Sequence, residues 1–203
     1  MPIPQRILPR RPLDGALAAT LWFDPTLAEL DALKALLDSG AGVRLVRAGA
    51  TELAPVPEGR AQGSGGRSPA ATLLRRAVCL APLTVRPYFA VCALEAWRRV
   101  PVQQLAGWSG IPIALLKRRL AAQGLTPAGV AAWNFALHAT WLLDVAELPA
   151  STVVSCMRLG RPAALSAVLG ARAVRFSSGK VEPGAFTATL DRYISVLRAA
   201  FGA

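Results

Sequence analysis

The chain has 203 residues, 53% of them hydrophobic and 17% charged, a balance that excludes intrinsic disorder and supplies enough apolar side chain for one ordinary core or two small ones. Twenty-three Lys and Arg face twelve Asp and Glu, and the formal charge of +11 calls for a polyanion or an anionic surface as counterpart. Three cysteines without CxxC spacing (Cys79, Cys92, Cys156) and a single histidine supply too few ligands for a zinc site or a disulfide framework, so no metal and no cofactor is expected.

From the N-terminus, prolines at Pro2 and Pro4 stand where a signal peptide needs an apolar stretch, which speaks against secretion and for a cytoplasmic location. Leu17 to Phe23 reads as a short strand. Asp24 and Pro25 then open a helix with Leu27, Leu30, Leu33, Leu36 and Leu37 at helical spacing, Gly40 and Gly42 close it, and Val43, Leu45 and Val46 alternate with Arg44 and Arg47 as a second strand. A phosphoacceptor receiver domain needs clustered acids at strand ends, and only Asp24 is so placed. Residues 1–54 therefore read as a small α/β interaction or dimerisation module, and the Pro, Gly and Ser content of 55–69 as a flexible linker. Gly63-Ser64-Gly65-Gly66-Arg67 has neither a strand before it nor Lys-Ser/Thr after it, so it is no phosphate loop.

Charge concentrates beyond the N-terminal module: residues 59–122 carry ten basic side chains against the single Glu95. A helix is expected from about Pro87 to Arg99, followed by a second and a third that share a tight turn. Small Ala106 lets the helices approach, Gly110 permits the turn, Ile111 plugs the space between them, and Leu116 and Leu120 anchor the second at i and i+4. Gly124, Thr126 and Pro127 end that helix and open a long one with Ala139, Leu142 and Leu143. His138 lies in its apolar run without a carboxylate spaced to orient it and reads as a core histidine, which leaves triad catalysis without a base. The uncharged stretch from Arg119 to Asp144 is long enough to span a membrane, but Gln123, Gly124, Pro127, Asn134 and His138 interrupt it. Trp97, Trp108, Trp133 and Trp141 fall on apolar stripes and read as core rather than as stacking platforms.

The positions Ala106, Gly110, Ile111, Leu116, Arg118, Leu120, Gly124, Thr126, Pro127, Ala139, Leu142 and Leu143 follow one another as in the AraC/XylS family of transcription regulators, which this chain resembles from about Val85 to Leu169. The resemblance implies a mainly α domain over 70–203 with two helix-turn-helix units joined by a long helix, and duplex DNA as partner. In the second unit Ser151 caps a first helix carrying Val153 and Val154, Leu159, Leu165 and Leu169 take the anchoring positions, Arg158 stands where the family has Gly, and Ala167 replaces an Arg that touches the backbone. Beyond it, Ala173 to Pro183 reads as a hairpin with a Ser-Gly turn, a basic wing, and Phe186, Leu190, Tyr193, Ile194 and Leu197 mark an amphipathic last helix.

The residues just inside the first recognition helix, Pro112, Ile113, Ala114 and Leu115, have no hydrogen-bonding side chain, so base reading is poorly supplied. Lys117, Arg118, Arg119, Arg158, Arg161, Arg172, Arg175 and Lys180 are the candidate phosphate contacts. The expectation is a non-enzymatic DNA-binding regulator. The alternative is a degenerate helix-turn-helix protein in which the apolar tip grips a protein partner, as an adaptor or anti-regulator.

Overall fold

The computed structural model describes residues 19–23, 43–47, 49–50 and 69–202. The helix expected after Asp24 and the linker to residue 68 lie outside the described residues. Strands β1 (Ala19–Phe23) and β2 (Val43–Arg47) pair in parallel, with Thr20 opposite Arg44 and Leu21 opposite Leu45.

The rest is mainly helical. Pro69, expected in the linker, is buried and opens α1 (Pro69–Arg76), where its fixed φ suits the first turn. A single 3₁₀ turn (Val78–Leu80) leads to α2 (Arg86–Leu94). This helix stops five residues short of Arg99, because Glu95 leaves helical geometry at φ −100° and ψ 8° and its carbonyl accepts from Arg98 in a turn. Then come α3 (Val102–Trp108), α4 (Ile113–Ala121) and the long α5 (Pro127–Asp144). Thr126 caps α5, its Oγ1 accepting from the Gly129 N–H at 3.0 Å, and Pro127 takes the first helical position. Helices α6 (Ala150–Cys156) and α7 (Pro162–Gly170) follow, and α6 starts after Pro149, so Ser151, expected as its cap, lies inside the first turn.

The hairpin forms with β3 (Phe176–Ser177) antiparallel to β4 (Lys180–Val181). Ser178 at φ 52° and Gly179 at φ 78° make the two left-handed turn positions that match strand twist. Helix α8 (Ala185–Phe201) buries Phe186, Leu190, Tyr193, Ile194 and Leu197, the stripe read from its spacing.

Helix α5 is the spine, packing against both α2 and α8. Its last residue, Asp144, accepts from the Gly184 N–H at 3.1 Å and the Phe186 N–H at 2.8 Å, so one carboxylate satisfies two orphan donors at the start of α8. Tyr88 of α2 donates to Pro127 O at 2.9 Å and Asn134 of α5 to the Tyr193 hydroxyl at 3.3 Å, which keeps these buried polar groups paired. Trp97 and Trp141 are buried as expected, whereas Trp108 and Trp133 are half-buried beneath arginines. Of the three cysteines only Cys92 is fully buried. Cys156 is half-buried and Cys79 exposed, because the 3₁₀ turn carrying Cys79 points that residue outward and its Sγ bonds back to Arg75 O. No described helix is long and apolar enough to cross a membrane.

Candidate functional site

Lys117, Arg118, Arg119, Arg158 and Arg161 sit on two short helix pairs with one backbone plan. Between α3 and α4 the Gly110 N–H donates to Gly107 O at 3.1 Å and the Ile111 N–H to Ala106 O at 3.2 Å. Gly110 is at φ 68°, the left-handed cap that glycine adopts without penalty. Between α6 and α7 the Arg158 N–H donates to Ser155 O at 3.0 Å and the Leu159 N–H to Val154 O at 2.9 Å, the same two bonds. Arg158 holds the place of Gly110 at φ 52°, at a cost of about 1 kcal/mol for a residue with a Cβ.

The correspondence runs through the packing. Buried Leu105 answers to Val153, Ile111 to Leu159, Leu116 to Leu165 and Leu120 to Leu169. Each pair is entered through a proline at φ −57°, Pro101 and Pro149. After α4 the Leu125 N–H returns to Leu120 O at 2.9 Å, and after α7 the Val174 N–H returns to Leu169 O at 3.1 Å. Two sequences with little in common thus build the same unit, because each supplies one plug and two anchoring leucines.

The eight cations of the sequence reading fall into distinct settings. Lys117 and Arg118 are exposed on α4, between the fully buried Leu116 and Leu120. Arg119 is half-buried and its Nη1 donates to Thr84 O at 2.7 Å, which ties α4 to the segment before α2. Arg158 and Arg161 are exposed at the second turn, Arg158 lying 5.9 Å from the Trp97 ring centroid and Arg161 capping α7. Arg175 and Lys180 are exposed on the hairpin, and Arg175 pairs with Glu182 at 3.3 Å. Arg172 is half-buried with its guanidinium 4.7 Å from the Trp133 ring centroid, and Trp133 in turn stacks on Tyr193 at 5.3 Å. Among the described residues Lys117, Arg118, Arg161 and Lys180 are exposed and make no ion pair. The apolar tip of α4 leaves Pro112 and Ala114 exposed and Ile113 and Leu115 half-buried.

A buried ionic cluster beside the first pair escaped the sequence reading. Glu95 is 4% exposed and Arg47 8%. The Arg47 Nε donates to Glu95 Oε1 at 2.8 Å, and the Arg98 Nη2 and Nε donate to Oε2 at 2.9 and 3.1 Å. The Arg47 guanidinium also lies 4.0 Å from the Trp108 ring centroid, so strand β2 is clasped to α3 through charge and ring together. The available signal was that Glu95 is the one acid among ten cations over residues 59–122. Its partner 48 residues upstream was invisible.

Two titratable groups are held in one form by burial. Desolvation pushes the His138 imidazole down to about 4, and its Nδ1 is enclosed without a hydrogen-bond partner, so the ring is neutral at physiological pH. Burial pushes the Cys92 thiol up to about 12, which keeps it protonated and poorly nucleophilic. Neither group offers the poised acid, base or nucleophile that hydrolytic chemistry needs.

Comparison with protein-family models, with curated proteins and with solved structures finds no match to this chain.

Proposed function

We propose that this chain is a DNA-binding transcription regulator of the AraC/XylS type, in which α3–α4 and α6–α7 are two helix-turn-helix units joined by α5. The observation that carries the reading is the repetition of one turn, with the same pair of backbone bonds and the same buried plug and anchors, on either side of a single long helix. Two such units set apart by a rigid spine suit successive segments of duplex DNA. The exposed Lys117 and Arg118 of the first unit, and Arg158, Arg161 and the hairpin cations of the second, supply phosphate contacts, while the apolar tip from Pro112 to Leu115 supplies none to base edges. Binding of this kind is strong in charge and weak in sequence choice. Arg119 and Arg172 support it as scaffold, through Thr84 O and Trp133. The N-terminal module serves dimerisation or partner contact, and the protein works in the cytoplasm without catalysis.

A second reading rests on the same tip. Pro112, Ile113, Ala114 and Leu115 form an apolar surface where a DNA reader carries polar side chains, and that surface suits a protein partner. Fluorescence anisotropy with a labelled random duplex at about 50 mM salt separates the two. The regulator reading predicts saturable binding that Lys117→Ala with Arg118→Ala weakens and Ile113→Ser does not. Absence of duplex binding transfers the function to the adaptor.

A further inference from the structure

A cleft of about 460 Å³ lies between the two helix pairs. Its lining comes from the end of α2 and the loop after it, the first turn of α3, the first half of α5 and the end of α7. The floor is apolar, with Leu105, Phe135 and Ala96 buried there, and Val100, Val102 and Val168 continue the same character. Exposed alanines, Ala128 and Ala132 on α5 and Ala167 and Ala171 on or just after α7, leave the mouth open, since none carries a side chain long enough to close it.

Of the three arginines in the lining Arg98 is held by Glu95, and the other two give this apolar space a sign. Arg99, from the loop before α3, is exposed, and its guanidinium lies 5.8 Å from the ring centroid of Phe135. Arg172, from the turn after α7, lines the other side, its Nη1 donating to Ala171 O at 3.1 Å and its Nη2 to Gly129 O at 3.4 Å while its Nε is enclosed. The one carboxylate in the lining, Glu95, is already taken by Arg47 and Arg98, so it does not neutralise them. No carboxylate in the lining is left to answer the charge of Arg99 and Arg172, and an anion between the two guanidinium groups would do so. The volume falls in the range of pockets that enclose small organic ligands.

We infer that this cleft is a binding site for a small amphipathic carboxylate, its apolar chain on Phe135, Leu105 and Val168 and its carboxylate between Arg99 and Arg172. The ligand class follows from the lining: a purely apolar molecule leaves both cations unanswered, and a small polar anion leaves the floor wet. Such a ligand touches α3 of the first pair and α7 of the second, and so fixes the distance between them. Its regulatory consequence rests on the proposed DNA function. The binding itself does not.

The test uses the full chain and decanoate as probe, followed by thermal shift and by titration calorimetry, in the absence of DNA. Decanoate is expected to bind saturably, decanol, with the same chain and no charge, about tenfold more weakly, and acetate not at all at the same concentration. Ala132→Trp fills the mouth from an exposed position and is expected to abolish binding. Arg99→Gln, also at an exposed position, is expected to weaken it about tenfold and serves if the tryptophan variant does not fold. Equal affinity for decanol and decanoate, or decanoate binding that survives both substitutions, overturns the site. So does absence of decanoate binding accompanied by loss of duplex affinity in Arg99→Gln, which assigns the cation to phosphate instead. A change of at least about fivefold in duplex affinity on saturation with decanoate supports coupling, and no change overturns it. Decanoate binding by a chain that binds no duplex leaves the site standing and removes only the DNA reading.

Discussion

Replacing Arg47 by Met tests whether the N-terminal strand is part of the helical domain's stability. The Glu95 carboxylate is buried and held from one side by Arg47 at 2.8 Å and from the other by Arg98 at 2.9 Å. Breaking a buried pair by removing one partner costs roughly 3–5 kcal/mol, because the remaining charge is stranded. Here Arg98 stays, 18% exposed at its side chain, and continues to neutralise one oxygen, which places the loss at the lower end. The cation over Trp108 at 4.0 Å adds roughly 0.5–2 kcal/mol when desolvated. A net loss of about 4 kcal/mol is therefore expected, a large share of the roughly 5–15 kcal/mol that holds a typical domain. Urea unfolding of the Arg47→Met, Glu95→Gln and double variants gives the coupling energy from the thermodynamic cycle. Deletion of residues 1–58 is expected to leave a folded chain, since the core of the described residues runs from Ala71 to Leu197, but one destabilised to about the same extent as Arg47→Met. Additive losses in the cycle, or an unchanged urea midpoint in Arg47→Met, would refute the clasp.

His138 makes the fold less stable in acid. Its folded value near 4 lies below the unfolded 6.5, so the unfolded chain binds the extra proton, and stability falls as pH drops from about 6.5 to 4 and levels off below. The full loss is about 3 kcal/mol, and His138→Leu should flatten that part of the unfolding-against-pH curve. Leu116→Ala and Leu165→Ala, at equivalent and fully buried positions of the two pairs, should each cost roughly 2–5 kcal/mol in urea unfolding, and a loss confined to one contradicts the equivalence. Arg118→Ala should lower duplex affinity for all sequences alike with little effect on stability. Arg119→Ala should lower stability by about 1 kcal/mol through the lost bond to Thr84 O, read in the same urea titration.

Local order was legible and long-range order was not. The first helix pair could be placed from Ala106, Gly110, Ile111, Leu116 and Leu120, because each acts on a neighbour within one turn and its residue type is dictated by the space it fills. The second pair was harder to read, since Arg158 occupies a left-handed position that sequence rules reserve for Gly, and only its backbone bonds reveal the same turn. The fate of the cations depended on tertiary packing. Arg119 finds a carbonyl 35 residues away and Arg172 finds the face of Trp133, and no spacing rule connects either pair. The same holds for Arg47 and Glu95, and for the cleft, whose lining is assembled from four helices.

If exposed cations of the two proposed helix-turn-helix units and of the hairpin hold duplex DNA by its phosphates, binding to a random duplex falls with salt. Each phosphate neutralised contributes about −0.9 to the log-log slope. Lys117, Arg118, Arg161 and Lys180, exposed and without ion pairs among the described residues, give a slope near −4 and a loss of affinity of roughly a hundredfold between about 50 and 200 mM salt. Lys117→Ala with Arg118→Ala should make the slope shallower by about 2. A salt-independent affinity, or a slope that the double substitution leaves untouched, contradicts the account.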